Sequence, residues 1–375
     1  MSKEYLAILS LLIAWLAAYL LGRVLHLERY GLNIKPLFIK YESKWFKDLL
    51  HKCSRRQRVL WKVFSNVSVL LGFGLMIFIL VFLSRNLMGT LLPHYGREAT
   101  VVPIIPGVTL DLLWLPYFLI AVIAAIFMHE AAHGIIALIE GVGIKSAGLL
   151  ALAIFPGGFV EVEEEEINRL PHLSRMKIFS AGSSSNLIFG LITLLLTSTL
   201  FSSTPTGIIV INVLENGPLQ KAGIGRWDVI YALNNTRISS QRELSAFMSN
   251  VKPGDKLVVS TSKGDFLIET ARSPEDEYRA IIGILPPYLS YYPSILGLGY
   301  FWDTQIYITF HWLFLVLINV AIFNMLPIPM LDGDKLLQCL IERALRKGGE
   351  ALKKFFNAFS LFLIIANIML SMRSW

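Results

Sequence analysis

The sequence predicts a polytopic α-helical membrane protein: about six transmembrane helices, a membrane-associated β-hairpin and one small α+β domain. Three observations predict it. Apolar residues make up 54% of the chain and charged residues only 16%, where a soluble protein carries roughly a quarter charged. The mean hydropathy is accordingly high, at +0.58. The apolar residues come in six blocks, 5–22, 66–84, 112–139, 178–202, 304–326 and 355–372, each near the ~20 residues a spanning helix needs. The net charge of +7 is clustered between blocks. Clustering of that kind is a topology signal and not a nucleic-acid footprint, so no nucleic-acid partner is expected.

The elements follow in order. The first block, Leu6 to Leu21, has no small-residue cleavage site after it, so it reads as a retained helix and not as a signal peptide. Residues 23–65 carry eleven Lys/Arg and three acids, which places them in the cytoplasm and the N-terminus outside. Within them, Tyr41 to Lys62 interleaves Trp45, Phe46, Leu49, Leu50, Leu60 and Trp61 with basic residues. That pattern predicts a helix lying on the bilayer surface. The weakly charged loop 86–111 (Arg97, Glu98, Asp111) falls outside, and the third block returns inward. Cys53 and Cys339 both fall on the cytoplasmic side, where no disulfide is expected.

Residues 141–166 are not a full span. Glycines 141, 143, 148, 157 and 158 and Pro156 interrupt them, and Phe159-Val160-Glu161-Val162-Glu163 alternates as a strand does. Backbone that is not helical at membrane depth must be buried in protein or line a wet cavity, so a hairpin beside the third span is expected. The run Glu163 to Glu166 reads as a solvated turn. Residues 206–285 are polar and turn-rich, with strands at Ile208–Ile211 and Lys256–Ser260 and a helix at Arg242–Asn250. Counting spans puts this soluble domain outside. The fifth span breaks at Pro327 and Pro329, and the basic stretch Arg343 to Lys354 returns the chain to the cytoplasm. The expected organisation is 1–110, N-terminal helices and the basic amphipathic region; 111–204, the first half of a core; 205–290, the soluble domain; and 291–375, the second half of the core.

The chemistry lies at His129-Glu130-Ala131-Ala132-His133, inside an apolar span. Ionisable groups there are costly and mark a functional site by default. Helical spacing puts both imidazoles on one face, able to bind one zinc ion with Glu130 set to act on its water. A catalytic zinc takes three protein ligands. Asp332 stands out as the third, because it follows the Pro-x-Pro break at the inner end of its span. Asp334 is the rival, two residues nearer water. His311 is placed near the outer end of the fifth span and His172 in a loop. Asn186, an amide in an apolar helix, needs a partner and fits either helix packing or a role in the site.

These residues carry a resemblance. HEAAH in an apolar helix, with Asn-x-x-Pro-x-Pro-x-Leu-Asp-Gly at 324–333, resembles the site-2 protease family of intramembrane zinc metalloproteases. Phe155-Pro156-Gly157-Gly158-Phe159-Val160 and the Ala181-Gly182…Asn186 start of the next span are similar too. The resemblance implies one zinc ion held by His129, His133 and Asp332, Glu130 as general base, and Asn186 and Asn324 as supports for substrate or the reacting carbonyl. Residues Gly217 to Ile230 resemble a protease-type PDZ domain, with Trp227 where such domains carry glycine.

The expected activity is zinc-dependent endopeptidase cleavage of transmembrane segments in single-span membrane substrates, as in regulated intramembrane proteolysis, within a prokaryotic cell membrane. The substrate helix must unwind, and an extended segment could pair with the hairpin edge at Phe159 and Val160. Peptide or C-terminus binding is expected of the PDZ-like domain. A transporter is the competing class, opposed by the lack of an inverted repeat of the spans. An inactive PDZ-bearing scaffold is a further one, opposed by the intact Glu130.

Overall fold

The computed structural model describes residues 3–92, 100–152, 155–274, 276–345 and 348–372. Arg97 and Glu98 of the expected outer loop, and Arg346 and Lys347 of the basic stretch, lie outside them. The chain begins with α1 (Lys3–Val24), β1 (Leu32–Lys35), β2 (Phe38–Glu42), α2 (Lys44–Arg56), α3 (Arg58–Leu91) and α4 (Leu115–Ile139). It continues through β3 (Ile144–Leu152), β4 (Phe155–Val162), α5 (Glu164–Arg169) and α6 (His172–Leu200). Short elements follow: β5 (Gly207–Ile209), β6 (Asn212–Val213), α7 (Pro218–Lys221), β7 (Val229–Leu233), β8 (Thr236–Arg237), α8 (Gln241–Met248), β9 (Lys256–Thr261) and β10 (Gly264–Glu269). The last strands are β11 (Ala271–Arg272), β12 (Ala280–Ile281), β13 (Ile284–Leu285) and β14 (Leu289–Tyr291); α9 (Tyr300–Phe323), α10 (Asp332–Ala344) and α11 (Gly349–Met372) end the chain.

Among the described residues, five stretches are long and apolar enough to cross a membrane: Arg58–Leu91, Leu112–Ile139, His172–Leu200, Tyr300–Phe323 and Gly349–Met372. The protein is thus a polytopic helical membrane protein with some sheet. The first expected block is also helical, as α1. The structure divides into one unit of Met1–Leu191 with Trp312–Trp375 and a second of Ile192–His311. The boundaries fall inside α6 and α9.

In the first unit the expected hairpin is present. β3 and β4 pair antiparallel, with Ala147 opposite Val160 and Gly148 opposite Phe159. The hairpin is half of a larger sheet ordered β1-β2-β3-β4. β1 and β2 come from the basic region, in which only a surface helix is expected. β4 is an edge strand. Its close packing on α4 needs Gly134, where a Cβ would stand 2.9 Å from Val160 Cγ1 and 3.1 Å from Leu50 Cδ1.

The amphipathic stretch differs from expectation. It is two helices, α2 ending at Arg56 and α3 starting at Arg58, separated at Gln57 (φ −121°). Phe46 and Leu50 of α2 are buried, clustered with Ala132, Ile135 and Ile136 of α4. The apolar face of α2 therefore lies on protein and not on lipid, while Trp45 stays exposed. The acidic run forms the short exposed helix α5 and not an open turn.

In the second unit, β10-β9-β7-β5-β14 form a sheet, with β8 beside β7. The sheet, α7 and α8 close over a core that includes Leu219, Ile230, Leu233, Leu244 and Val259. Trp227 has φ +74°. That left-handed conformation favours glycine.

Candidate metal centre

The site is assembled by α4, α6 and the turn between α9 and α10. Asp111 accepts a hydrogen bond from Leu113 N at 2.8 Å, and Pro116 follows in the first turn of α4. A proline there loses no helical hydrogen bond. Ala121, Ala125 and Ala132 are buried on α4, small enough for neighbouring helices to approach closely. Ser185 of α6 donates to Met128 O at 3.1 Å, which fixes α6 against the turn carrying the motif.

The sequence-predicted ligands come together. His129 Nε2 lies 3.1 Å from His133 Nε2. Asp332 Oδ2 is 2.9 Å from His133 Nε2 and 3.1 Å from His129 Nε2. His133 Nδ1 donates to Ile178 O at 2.7 Å. That bond puts the ring proton on Nδ1 and leaves the Nε2 lone pair facing the other two atoms. Three lone-pair atoms converging at this distance repel unless a cation lies among them.

A tetrahedral zinc with ligands at about 2.0–2.1 Å sets them roughly 3.3 Å apart. The observed triangle has nearly that size, so the donor set fits zinc. The fit extends to α6. A Cβ at Gly182 would collide with His133 Nε2 and stand 2.6 Å from His129 Nε2. This glycine holds open the space the imidazoles fill, a role its composition alone had marked only as helix packing. Gly182→Ala is expected to tilt the imidazoles and to weaken zinc binding by about 10–100-fold, the scale of an outer-shell defect. Titration of the apo protein with zinc against a competing chelator checks it.

Asp332 is buried. It belongs to the first turn of α10. The chain reaches it by folding back after α9, with Gly333 N donating to Asn324 O at 3.0 Å. Asn324 Nδ2 donates to Asp332 Oδ2 at 2.8 Å and faces His129 Nε2 at 3.1 Å.

Glu130 is half-buried, and Val160 N of β4 donates to its Oε2 at 3.2 Å. No partner is recorded for Oε1 among the described residues. Glu130 also borders a cavity of about 650 Å³ between α4 and the sheet, otherwise apolar apart from Tyr41.

Other expected residues sit elsewhere. Asn186 is fully buried on α6, one turn beyond Gly182, and both its amide atoms lack a partner among the described residues. Asp334 pairs with Lys353 at 3.0 Å and stays out of the triangle. His172 opens α6 instead of lying in a loop. His311 is exposed in the middle of α9 and not at its end. Cys53 and Cys339 are free. The Ile178 carbonyl was missed, since a backbone acceptor has no side-chain signature.

Comparison with known proteins places the chain among relatives. An uncharacterized protein of Methanocaldococcus jannaschii is 27% identical over 401 aligned positions, 99% of each chain. A membrane-bound transcription factor site-2 protease homolog of Arabidopsis thaliana is 25% identical over 144 residues, 38% of this chain and 28% of the plant protein. Serine endoprotease DegS of Haemophilus influenzae is 40% identical over 63 residues, 17% of this chain and 18% of that protein. The model of peptidase family M50 matches residues 117–367, about two thirds of the 375. With that match spanning both the His-Glu-x-x-His helix and the Asp332 turn, the chain belongs to peptidase family M50, the site-2 protease family of membrane metalloproteases.

Proposed function

We propose that this protein is a zinc-dependent intramembrane endopeptidase that cuts transmembrane segments of single-span membrane proteins in regulated intramembrane proteolysis. One observation carries the reading. Two imidazoles and a carboxylate converge within 3.1 Å on an apolar spanning helix, with Glu130 next in the chain to His129.

His129, His133 and Asp332 would hold the ion. When bound, zinc supplies Lewis acidity to the scissile carbonyl and to the attacking water. Glu130 does the proton work. Its Oε2 is anchored by Val160 N–H, which leaves Oε1 to take a proton from water and pass it to the leaving amine. Asn324, already at the rim of the triangle, orients Asp332 and offers an amide N–H toward the reacting oxygen. Asn186 keeps a buried amide, unpaired among the described residues, on the same face of α6 as Gly182, available to a polar group of the substrate. Cleavage of a purified single-span substrate in vesicles tests the reading. A chelator should abolish it and added zinc restore it; cleavage that persists after complete zinc removal would sink it.

The edge position of β4 supports pairing with an unwound substrate segment through Phe159 and Val160. Proline at Val160 deletes the N–H that holds Glu130 and breaks the edge. Val160→Pro is expected to slow cleavage by at least about tenfold while zinc content stays near one per chain. Equal loss of both would make the strand purely structural.

The second unit is read as a PDZ-like domain outside the membrane, binding peptides or C-termini. Its mixed α/β core supports this. α1 is read as a sixth span. The clustered charge supports a metal centre near the cytoplasmic side of the membrane, which is read as a prokaryotic cell membrane.

A further inference from the structure

We propose that the polar face of α2, with the start of α3, is a binding surface for the phosphate headgroups of anionic phospholipids. This inference stands apart from the protease reading and does not need it.

The first observation is charge. Asp48, His51, Lys52, Arg55 and Arg56 line one open concavity of about 470 Å³ on α2. Their spacing of three and four residues puts them on one side of the helix. Lys44, Lys52, Arg55, Arg56, Arg58 and Lys62 are all exposed, and none takes part in an ion pair among the described residues. Asp48 is the one acid from Ser43 to Phe64. Some cations elsewhere in this unit are neutralised, as Arg175 is by Glu342 at 2.7 Å and Lys177 by Glu140 at 3.2 Å. The α2 cations are left for something outside the chain.

The second observation is depth. α3 has 34 residues, about 51 Å at 1.5 Å per residue, against a hydrocarbon core of about 30 Å. The surplus puts one or both ends of α3 in the headgroup layer. Arg58 and Lys62 alternate there with exposed Val59, Leu60 and Val63, and Trp45 is exposed on α2. Cations among exposed aliphatic and aromatic side chains, at the end of a span, suit the boundary between acyl chains and phosphates. A soluble anion would need no apolar residues beside it.

The third observation is what lies behind the surface. The opposite face of α2 packs Phe46 and Leu50 onto Ala132, Ile135 and Ile136. α2 is thus held between its own protein and the charged layer. A headgroup bound on one face would brace the helix that bears His129 and His133 from the other.

The test uses the full chain in phosphatidylcholine vesicles with trace spin-labelled lipids. Electron paramagnetic resonance measures the motionally restricted fraction of phosphatidylglycerol against that of phosphatidylcholine. The wild type is expected to prefer phosphatidylglycerol by at least about fivefold, the effect of one cation held at an anionic surface. The preference should fall toward one in K52Q/R55Q/R56Q, and toward one at about 0.5 M salt. K221Q/K252Q/K256Q, which removes the same charge from exposed sites of the second unit, should keep it. Matching thermal unfolding of the two triple variants shows that the loss is not misfolding. A preference unchanged in K52Q/R55Q/R56Q overturns the proposal. So does full displacement of the lipid by about 10 mM inorganic phosphate at constant ionic strength, which would make this a site for soluble phosphate.

Discussion

Glu130→Gln should leave zinc bound and bring cleavage close to zero. The substitution keeps the size of the side chain and an acceptor for Val160 N–H, so the contact at 3.2 Å can persist. The three candidate ligand atoms, His129 Nε2, His133 Nε2 and Asp332 Oδ2, are untouched. What is lost is a group able to accept a proton from water and return it to the amine. General acid–base groups contribute about 10²–10⁴-fold, and Glu130 would serve in both directions, so a loss near the upper end is expected. Cleavage of a membrane substrate and zinc content, measured on the same sample, check it. Loss of zinc together with activity would mean that Glu130 supports the metal and is not the base. Unchanged cleavage would remove Glu130 from the proposed mechanism and assign the proton transfer to another group.

Asp332→Ala should empty the site. Its Oδ2 is the third corner of the triangle, at 2.9 and 3.1 Å from the two imidazoles, and it accepts from Asn324 at 2.8 Å. Removing it leaves two imidazoles and a misdirected amide, so zinc affinity should fall by more than about 100-fold, beyond the cost of an outer-shell defect. Cleavage should fall with it. Asp334→Ala is the contrast, because Asp334 is spent on Lys353; it should keep a full complement of zinc. Metal analysis of the two variants after identical dialysis separates the carboxylates. Full zinc in the Asp332→Ala protein would assign the third ligand elsewhere.

Much of the site was legible because membrane burial makes polar residues conspicuous. His129, Glu130 and His133 stand out against the apolar residues around them, and the 3.6-residue period alone brings the imidazoles together. Asp332 was legible through the two prolines that end its span. The hairpin showed in the alternation of Phe159 to Glu163. What was not legible depends on partners far away in sequence. β1 and β2 have four and five residues in a stretch dominated by charge. They become strands because β2 pairs with β3, whose residues 148–152 lie over a hundred positions later. The need for a glycine at 182 comes from imidazoles on another helix. The break at Gln57 has no marker in Arg-Arg-Gln-Arg, since none of these residues is a helix breaker. His172 and His311 were misplaced because the helices run past the expected ends of their apolar blocks. α6 begins at His172, six residues before its block, and α9 begins at Tyr300.

The fold-back between α9 and α10 has one more consequence. Gly333 N donates to Asn324 O, and a Cβ at Gly333 would strike the Met325 carbonyl. Asn324 and Asp332 are therefore the two ends of a closed clip. At its outer bend Met330 is 93% exposed and holds φ +81°, so the bend itself touches little. The clip acts as a gauge block. Its exposed apex can change in chemistry without disturbing the metal centre, but its length cannot change by one residue without shifting a ligand relative to the amide that steadies it.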